Sequence, residues 1–306
     1  MMGYACICTN LSNRSKKDRI TTNRTMIKRT FQQKGIQYAS ELAVQNCADL
    51  LPILQWNEKN GIRFFRLSSE FFPWASEYDL KDLPHYNQIK KSLAQAGAYA
   101  KKHNHRLTCH PGHFNKLASP KPKVVENTIR DLEIHGELFD LLGLSRTPYN
   151  KINIHVGATY GDKESACATF NSNFKKLSDA VRSRLTVEND DKASLYSTKD
   201  LHELIWKKIG TPIVFDYHHH QFCTGGQSEE EALKLAASTW GKYKPVVHYS
   251  ESRAKEQSDP KIKPQAHSDY IQKKILTYGV DVDVMVEAKA KEQALLEWSK
   301  KHGTLL

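Results

Sequence analysis

Short apolar runs rich in β-branched and aromatic residues recur along the whole chain and are separated by longer amphipathic segments. Such runs are typical of parallel strands that are buried on both faces. The pattern predicts eight strands, over residues 3–8, 62–68, 106–110, 151–157, 184–189, 212–218, 244–250 and 282–288. In the intervening segments apolar positions lie three and four residues apart, and this spacing predicts helices.

The helical segments carry recognisable end signals. Gly61 follows a predicted helix over 39–60, and glycine commonly ends helices. Ser228 and Glu231 form a predicted capping box at the start of a helix over 228–243. Further helices are predicted over 86–105, 124–143, 165–183, 197–210, 266–279 and 291–303.

The alternation of strands and helices predicts an α/β fold with parallel strands and right-handed crossovers. Eight such units in 306 residues favour a single (β/α)8 TIM barrel over residues 1–306. A doubly wound sheet is disfavoured because no Gly-rich phosphate-binding turn follows an early strand. The basic and weakly patterned segment 10–35 is predicted to be a loop over the barrel mouth.

Residues of metal-binding type stand at the carboxyl ends of the predicted strands, where the active sites of such barrels are built. Taken singly, each has an ordinary structural explanation, such as a hydrogen-bonded histidine or an acidic turn. Together they form a series, because six successive strands end in His110, His155, Glu188, Asp216, His248 and Glu287. His267 is predicted to open the helix over 266–279, and three histidines at 218–220 follow Asp216.

Burying several imidazoles and carboxylates around one barrel mouth is costly unless they are paired or bind metal. Histidine and carboxylate ligands without thiolates suit Zn²⁺, Mn²⁺ or Fe²⁺ better than Ca²⁺ or Mg²⁺. The ligands are too many for one ion, so we expect two or three ions with Glu188 as a bridging carboxylate. Ions about 3.5–4 Å apart suit phosphodiester hydrolysis. The residues alone do not decide which of His218, His219 and His220 is a ligand.

Composition adds a class of partner. Lys and Arg number 45 against 34 Asp and Glu, which gives a net charge of +11 and a pI of about 9.2. A surplus of this size attracts polyanions, with nucleic acid as the first candidate and an anionic membrane face as the second. A merely solubilising surface would have the same composition.

The spacing of the cysteines and the N-terminal residues indicate the cellular compartment. Six cysteines stand at positions 6, 8, 47, 109, 167 and 223 without a CxxC pair, which favours a reducing environment. The first residues lack the basic and apolar regions of a signal peptide. No apolar run approaches the length of a membrane-spanning helix. We therefore expect a monomeric intracellular protein of the cytoplasm or nucleus that is neither secreted nor membrane-bound.

A series of motifs follows one order along nearly the whole chain: GYACICTNLS, FFRLSSEFFPW, CHPGHF, HVGATYGDK, VENDD, VFDYHHH, HYS, AHSDY and VMVEAKAKEQAL. In this order they resemble the UV-damage endonucleases. The resemblance implies a TIM barrel related to those of endonuclease IV and xylose isomerase. It implies two or three divalent ions, typically Mn²⁺ with Zn²⁺ or Mg²⁺ as alternatives, and double-stranded DNA with UV lesions as the partner. The implied activity is DNA repair, by a nick on the 5′ side of UV photoproducts that leaves a 3′-hydroxyl.

Carried over to this chain, the resemblance marks eight metal ligands, namely His110, His155, Glu188, Asp216, His219, His248, His267 and Glu287. The strand-end pattern indicates all of these except His219, which only the family pattern Asp-x-x-His selects. Glu188, Asp216 and Glu287 are the expected catalytic carboxylates. His218 and His220 are expected to lie behind the ligands or to face solvent.

The resemblance also marks residues for DNA and lesion binding. His113 and Phe114 stand where family members often carry Gln and Tyr, which wedge into the duplex at the lesion, so the lesion preference is expected to differ. Tyr4 and Asn10 match the first-strand segment of the family and are expected near the DNA or the metals. Lys163 is expected at a phosphate, with a solvated loop lysine as the alternative reading.

One further departure from the family concerns a lysine beside the metals. Bacterial members can carry a lysine two residues before the histidine that ends the seventh strand, whereas this chain has Val246. A modified lysine is therefore not expected unless Lys244 takes its place. Arg66, at the end of the second strand, is predicted to be the buried partner of a carboxylate.

Three other functions remain open from the sequence. An endonuclease of the endonuclease IV type, acting on abasic DNA, would share the barrel and the metals. A metal-dependent sugar isomerase would share them too, although the net charge of +11 argues against a small neutral substrate. A non-enzymatic DNA-binding protein with a vestigial metal site is disfavoured by the near-complete ligand set.

Overall fold

Eight parallel strands form a closed barrel in the computed structural model, which describes residues 1–303. The strands follow chain order, and β8 pairs back to β1. They are β1 (Met2–Ala5), β2 (Phe64–Leu67), β3 (Arg106–Cys109), β4 (Ile152–Ile154), β5 (Leu185–Glu188), β6 (Ile213–Asp216), β7 (Val246–Tyr249) and β8 (Asp283–Val286). The predicted TIM barrel and its eight strands are confirmed, with strands shorter than predicted. Residues 304–306 of the predicted domain lie outside the described range.

Helices cover the outside of the barrel. They are α1 (Thr9–Ser12), α2 (Lys28–Lys59), α3 (Tyr86–Lys102), α4 (Pro122–Leu141), α5 (Lys163–Phe174), α6 (Asp179–Arg182), α7 (Thr198–Leu201), α8 (Lys207–Ile209), α9 (Tyr217–His220), α10 (Glu229–Ser238), α11 (Arg253–Glu256) and α12 (Glu292–His302). A π-helical turn, His202–Trp206, joins α7 to α8, and 3₁₀ turns lie at Ala75–Glu77, Leu80–Asp82 and Pro148–Asn150. The predicted capping box of Ser228 and Glu231 is confirmed at the start of α10.

Two predicted segments differ in extent from the structure. The predicted loop 10–35 is a loop only in part, because α2 already begins at Lys28 and runs through Gly35. Gly35 has a φ of 63°, so it interrupts the helix without the steric cost that a side chain would carry there. The helix predicted over 165–183 is divided into α5 and α6.

The predicted helix over 266–279 is wrong. Its backbone amides are used by tertiary hydrogen bonds, because Gln272 and Lys273 donate to the Glu251 carboxylate at 2.8 and 2.9 Å. Asp269 and Tyr270 likewise donate to Glu256 at 2.7 and 2.8 Å. The two carboxylates thus accept the backbone N–H groups that a helix would pair with its own carbonyl oxygens. The segment therefore remains an irregular loop.

The barrel interior is divided into layers by the two-residue alternation of its strands. Apolar inward-facing residues form the lower layer, namely Ala5, Phe64, Val214, Val246 and Met285. Gly3 faces inward beside them, and a Cβ atom there would lie 2.3 Å from the carbonyl oxygen of Phe64. The upper layer, at the carboxyl ends of the strands, consists of polar and charged side chains. The apolar layer therefore closes the barrel beneath the candidate site.

The base of the barrel contains a buried ion pair. Arg106 Nη1, at the start of β3, donates to Asp283 Oδ2 at 2.8 Å, and both side chains are fully buried. Lys244 Nζ lies 3.4 Å from Asp283 Oδ1 and 2.6 Å from the exposed Asp281. Lys244 thus lies at the opposite end of the barrel from the metal-binding residue types, and the alternative that it stands beside the metals is wrong.

No helix within residues 1–303 has both the length and the apolar character that crossing a membrane requires.

We predict that Asp283→Ala lowers the free energy of unfolding by about 3–5 kcal/mol, because Arg106 would remain buried without its counter-ion. Asp281→Ala is the matched control, since Asp281 also pairs with Lys244 but its side chain is 81% exposed. Its expected change is within about 0.5 kcal/mol. Urea denaturation of both variants measures the difference, and equally small losses would show that the buried pair does not hold the base together.

Candidate metal centre

The eight predicted ligands meet at the carboxyl end of the barrel, where they form one group that we call the mouth cluster: His110, His155, Glu188, Asp216, His219, His248, His267 and Glu287. Most of them stand at or one residue beyond the end of a strand, and the alternation of side chains turns them inward. The structure thus brings together residues from the ends of six strands, from α9, which contains His219, and from the loop that contains His267.

Glu188 is the centre of the mouth cluster. Its carboxylate is 1% exposed and accepts a hydrogen bond from Asn153 Nδ2. The ring nitrogens of four histidines approach its two oxygens: His110 at 3.2 Å, His155 at 3.8 Å, His219 at 3.3 Å and His248 at 3.1 Å. One carboxylate surrounded by four imidazoles has the chemistry of a bridging metal ligand.

Glu287 forms the second carboxylate of the mouth cluster. His248 Nδ1 lies 3.1 Å from Glu287 and equally far from Glu188, so this ring stands between the two carboxylates. His267 Nδ1 lies 3.9 Å from Glu287. Arg66 Nη1 donates to Glu287, which confirms the predicted buried partner of a carboxylate.

Asp216 has one oxygen that is used by the fold and one that is not. Its Oδ1 accepts from the backbone amide of His219 at 2.8 Å and so caps the short helix α9. Its Oδ2 is buried and has no hydrogen-bond partner among residues 1–303. Since a buried unpaired carboxylate oxygen is costly, a cation at this oxygen fits the site. The unpaired oxygen and the surrounding histidine and carboxylate donors therefore suit divalent ions.

The three consecutive histidines take different directions. His219 faces Glu188, and its Nδ1 lies 2.9 Å from the carbonyl oxygen of Asn189, an arrangement that orients metal-binding histidines. His218 and His220 are both buried, so the expectation that they could face solvent is wrong. His218 packs 5.6 Å from the His267 ring, and His220 packs 5.2 Å from the Phe215 ring on the outer side of β6.

The electrostatics keep Glu188 and Glu287 charged and leave His110, His248 and His267 neutral, whereas burial raises the pKa of Asp216 to about 7. Burial raises the pKa of Glu188, but His248 and His155 outweigh it and hold that pKa well below its usual range. Burial also raises the pKa of Glu287, but Arg66 outweighs it and holds that pKa well below its usual range. Burial lowers the pKa values of the His110 and His267 imidazoles and lowers that of His248 to about 4. Anionic carboxylates and neutral imidazoles are the protonation states that metal binding needs. His219 departs from this pattern, because Asp216 and Glu188 outweigh burial and raise its pKa to about 9, so an ion that binds there must displace a proton.

Two buried residues beside the mouth cluster are absent from the sequence-based expectations. Lys151 Nζ lies 3.0 Å from His248 Nε2, and Asn153 donates to Glu188. Burial lowers the pKa of Lys151 to about 7, so its amine has access to the neutral form. A neutral amine can accept a hydrogen bond from Nε2 of His248 and leave Nδ1 free to bind a metal. The signal was available, because Lys151, Asn153 and His155 alternate along β4 and share its inward face.

Of the predicted DNA-binding residues, Tyr4 is placed elsewhere. Its side chain is fully buried on the outer side of β1, and its hydroxyl donates to Asn57 Oδ1 of α2 at 2.7 Å. The prediction that Tyr4 contacts DNA or metal is wrong, because strand alternation turns it toward the helices. Asn10 is exposed at the mouth in α1, and both its backbone amide and its side-chain amide donate to Glu292, at 2.7 and 3.2 Å.

The remaining predicted contacts are Lys163, the first residue of α5, and His113 and Phe114 in the loop after β3. Lys163 Nζ forms an ion pair with Asp200 at 2.9 Å, and this pairing competes with a phosphate contact. His113 and Phe114 follow His110 in the loop after β3, with ring centroids 4.0 Å apart. Phe114 is 78% exposed, so its ring is available to a partner. The lesion-binding role of this pair stays a prediction.

Chemically, the mouth cluster can hold more than one ion. Ligand atoms of His110, His155 and Glu188 lie within 4.8 Å of one another, and so do those of Glu188, Asp216 and His248. The two groups share Glu188, which agrees with the bridging role expected of it. His219, His267 and Glu287 lie at the edge of these groups and complete a donor set for two or three ions.

We predict that His219→Ala weakens metal binding by more than the about 10- to 100-fold that changes to residues behind the ligands cost. The matched control is His220→Ala, which removes a neighbouring buried imidazole that packs on Phe215 instead of facing Glu188. The control should lower stability but leave the number of bound ions unchanged. Metal titration and elemental analysis of the folded proteins measure both; equal metal losses in the two variants would contradict the assignment of His219.

Comparisons with known proteins agree with this geometry. The family model described as UV-endonuclease UvdE matches residues 1–304. The UV-damage endonuclease of Schizosaccharomyces pombe is 36% identical over 319 residues, covering 98% of this chain and 50% of that protein. The chain thus spans half the length of this curated relative.

Solved structures give the same result. The crystal structure of SacUVDE superposes with a TM-score of 0.82 at 30% identity and covers 98% of this chain and 96% of its own. D-psicose 3-epimerase from Clostridium cellulolyticum H10 has a TM-score of 0.51 at 14% identity, covering 79% and 80% of the two chains, and shares the fold alone. Because the family model matches from one end of the described barrel to the other, the chain belongs to the UV-damage endonuclease family.

Proposed function

We propose that this chain is a DNA repair endonuclease that nicks the backbone on the 5′ side of UV photoproducts by phosphodiester hydrolysis with two or three divalent ions. The observation that carries the proposal is Glu188, a buried carboxylate shared by two potential metal groups at the barrel mouth. The names of the relatives support the substrate class. Mn²⁺ is the proposed ion, with Zn²⁺ or Mg²⁺ as alternatives.

The eight residues of the mouth cluster would hold the ions. Bound ions of this kind activate water and stabilise the charge that develops on the attacking and leaving oxygens. The chain itself supplies the orientation. Asn153 holds Glu188, and Arg66 holds Glu287, so both carboxylates are fixed before substrate arrives. Glu188, Asp216 and Glu287 are the proposed catalytic carboxylates, since they are the three carboxyl groups of the mouth cluster.

The loop between α1 and α2 is the proposed surface for the DNA backbone. Arg14, Lys16, Lys17 and Arg19 in it are exposed, and phosphate contacts by such residues give affinity without sequence preference. The loop is anchored rather than free, because Asn46 in α2 bonds both the amide and the carbonyl of Arg24 at 3.0 Å. A fixed basic loop beside the mouth favours capture of a long polyanion over a small sugar.

Lesion recognition is assigned to His113 and Phe114. Damaged bases cost less to unstack, and an exposed aromatic ring can stack on a displaced base or fill the gap that it leaves. Phe114 lacks the hydroxyl of the tyrosine that family members often carry, and His113 offers different hydrogen-bonding groups. The proposal therefore assigns to this pair the range of lesions rather than the chemical step. Asn10, which is also exposed at the mouth, is a further proposed contact to the DNA.

The setting of the enzyme is part of the proposal. All six cysteines are free, which suits a reducing intracellular compartment such as the cytoplasm or nucleus. The proposed partner is double-stranded DNA with UV lesions, bound by a monomer. An endonuclease acting on abasic sites is the second candidate, because the same metals and basic surface would serve that reaction.

We predict that the protein nicks UV-irradiated supercoiled plasmid with added Mn²⁺ and loses this activity in EDTA. Glu188→Gln should reduce the rate by more than about 100-fold, because each ion supplies several kcal/mol of charge stabilisation and both groups share Glu188. Glu203→Gln, a change at an exposed glutamate on the outer helices, is the control and should retain activity.

Unirradiated and abasic plasmids run in parallel separate the rival functions. Cutting of abasic DNA without UV-dependent nicking would replace the proposal by an abasic-site endonuclease. Turnover of an aldose without DNA affinity would indicate a sugar isomerase. Unchanged activity in Glu188→Gln would indicate a DNA-binding protein with a vestigial metal site.

We predict that Phe114→Ala lowers kcat/KM for UV-dependent nicking by about 10- to 100-fold, because base–aromatic stacking contributes about 1–3 kcal/mol per base. Phe114→Tyr should retain activity, since it keeps the ring. Leu276→Ala, which removes an apolar side chain that is 51% exposed, is the control and should behave as wild type. Wild-type nicking by Phe114→Ala would remove this ring from lesion recognition.

A further inference from the structure

The turn between β8 and α12 contains a lysine in a backbone conformation that normally belongs to glycine. Lys291 has φ 57° and ψ −127°, a region in which a side chain is strained against its own backbone. Lys291 lies four residues beyond Glu287 and directly before α12, at the barrel mouth. Strained non-glycine residues persist where the surrounding structure holds them and commonly mark functional positions.

The neighbouring backbone holds the turn from two directions. The amides of Lys289 and Ala290 donate to the carbonyls of Ser268 and Asp269 at 2.9 and 3.0 Å, which fastens the turn to the loop containing His267. On the other side, fully buried Glu292 accepts from the amide of Asn10 at 2.7 Å. The turn therefore cannot relax at Lys291 without breaking contacts to two other loops of the mouth.

The Lys291 side chain lacks a compensating carboxylate. It forms no ion pair with any residue from 1 to 303, while the nearest carboxylate of the mouth cluster, Glu287, is already paired with Arg66. The side chain is only partly exposed. Burial lowers the pKa of Lys291, and the cations Arg66 and Lys289 lower it further, which outweighs the opposite effect of Cys6 and Glu287. A cation that is partly buried among cations is unfavourable until an anion binds beside it.

We propose that Lys291 binds a phosphate oxygen of the DNA strand beside the scissile bond, and this inference rests on the proposed function. Lysine serves as a point charge for phosphate, and its four-carbon stem allows it to follow the backbone of a bent strand. Because the turn is fastened to the loops of His267 and Asn10, the backbone of Lys291 has a fixed position relative to the mouth cluster, and its amine has a limited reach from there. Lys291 is thus a substrate-positioning residue.

Three variants test the proposal, namely Lys291→Gly, Lys291→Arg and Lys289→Ala. Lys291→Gly removes the amine and the strain together, so its thermal midpoint should equal or exceed that of wild type. Its single-turnover rate of nicking UV-irradiated duplex should fall by about 10- to 100-fold, the loss of one charged hydrogen bond. Lys291→Arg keeps the charge and should retain most of the rate. Lys289→Ala removes an exposed lysine of the same turn and should change the rate by less than about threefold.

Binding to undamaged duplex gives a second measurement that needs no cleavage. The slope of log affinity against log salt should become shallower by about 0.9 in Lys291→Gly, as for the loss of one phosphate contact. A wild-type rate together with an unchanged salt slope in Lys291→Gly would overturn the proposal, as would equal rate losses in Lys289→Ala. If the wild-type protein does not nick irradiated DNA, the proposed function fails, and the salt slope still decides the role of Lys291.

Discussion

The carboxylate of Glu188 is the group around which the rest of the site is organised. It is taken out of water at the centre of a barrel, and a buried anion is stable only with close positive or hydrogen-bonding partners. Four histidines from three strands and from α9 approach it, and Asn153 donates to it from a fifth direction. Removing this carboxylate would leave the imidazoles without a common partner, so the geometry of the mouth follows from its burial.

A polar cluster of this size is tolerated because the barrel separates its chemistry into layers. Ala5, Phe64, Val214, Val246 and Met285 form an apolar layer beneath the cluster, and a buried ion pair closes the base. Glu188 and Glu287 in the upper layer then have defined partners instead of water, and Asp216 Oδ2 is left for a cation. The same two-residue alternation produces both layers, since a strand that contributes an apolar side chain to the lower layer contributes its next inward residue to the mouth.

The sequence predicts the strands and the gathering of metal-binding residue types at their carboxyl ends, because both depend on short-range patterns. Apolar runs give the eight strands, and a polar residue at the end of each run marks the site. The prediction for Tyr4 is wrong because it rests on family resemblance alone. The alternation of side chains along β1 points Tyr4 outward, toward Asn57. The predicted helix over 266–279, in the loop after β7, is wrong for a different reason. The carboxylates of Glu251 and Glu256 accept hydrogen bonds from backbone amides that local periodicity assigns to a helix. Strand alternation indicates that Lys151 faces inward, but local patterns cannot indicate its pairing with His248, 97 positions along the chain.

Strain at the mouth separates the parts that give stability from those that give function. Non-glycine residues with positive φ occur in the loops after β1, β2, β4 and β8, at Cys6, Trp74, Tyr160 and Lys291. Such conformations cost about 1–3 kcal/mol each and are kept only where contacts enforce them. Asn46 and Glu292 supply such contacts between neighbouring loops, each from a fully buried side chain. The stable barrel therefore offsets the cost of its strained mouth loops. Rigid loops of this kind can present groups to the proposed DNA partner without first having to become ordered.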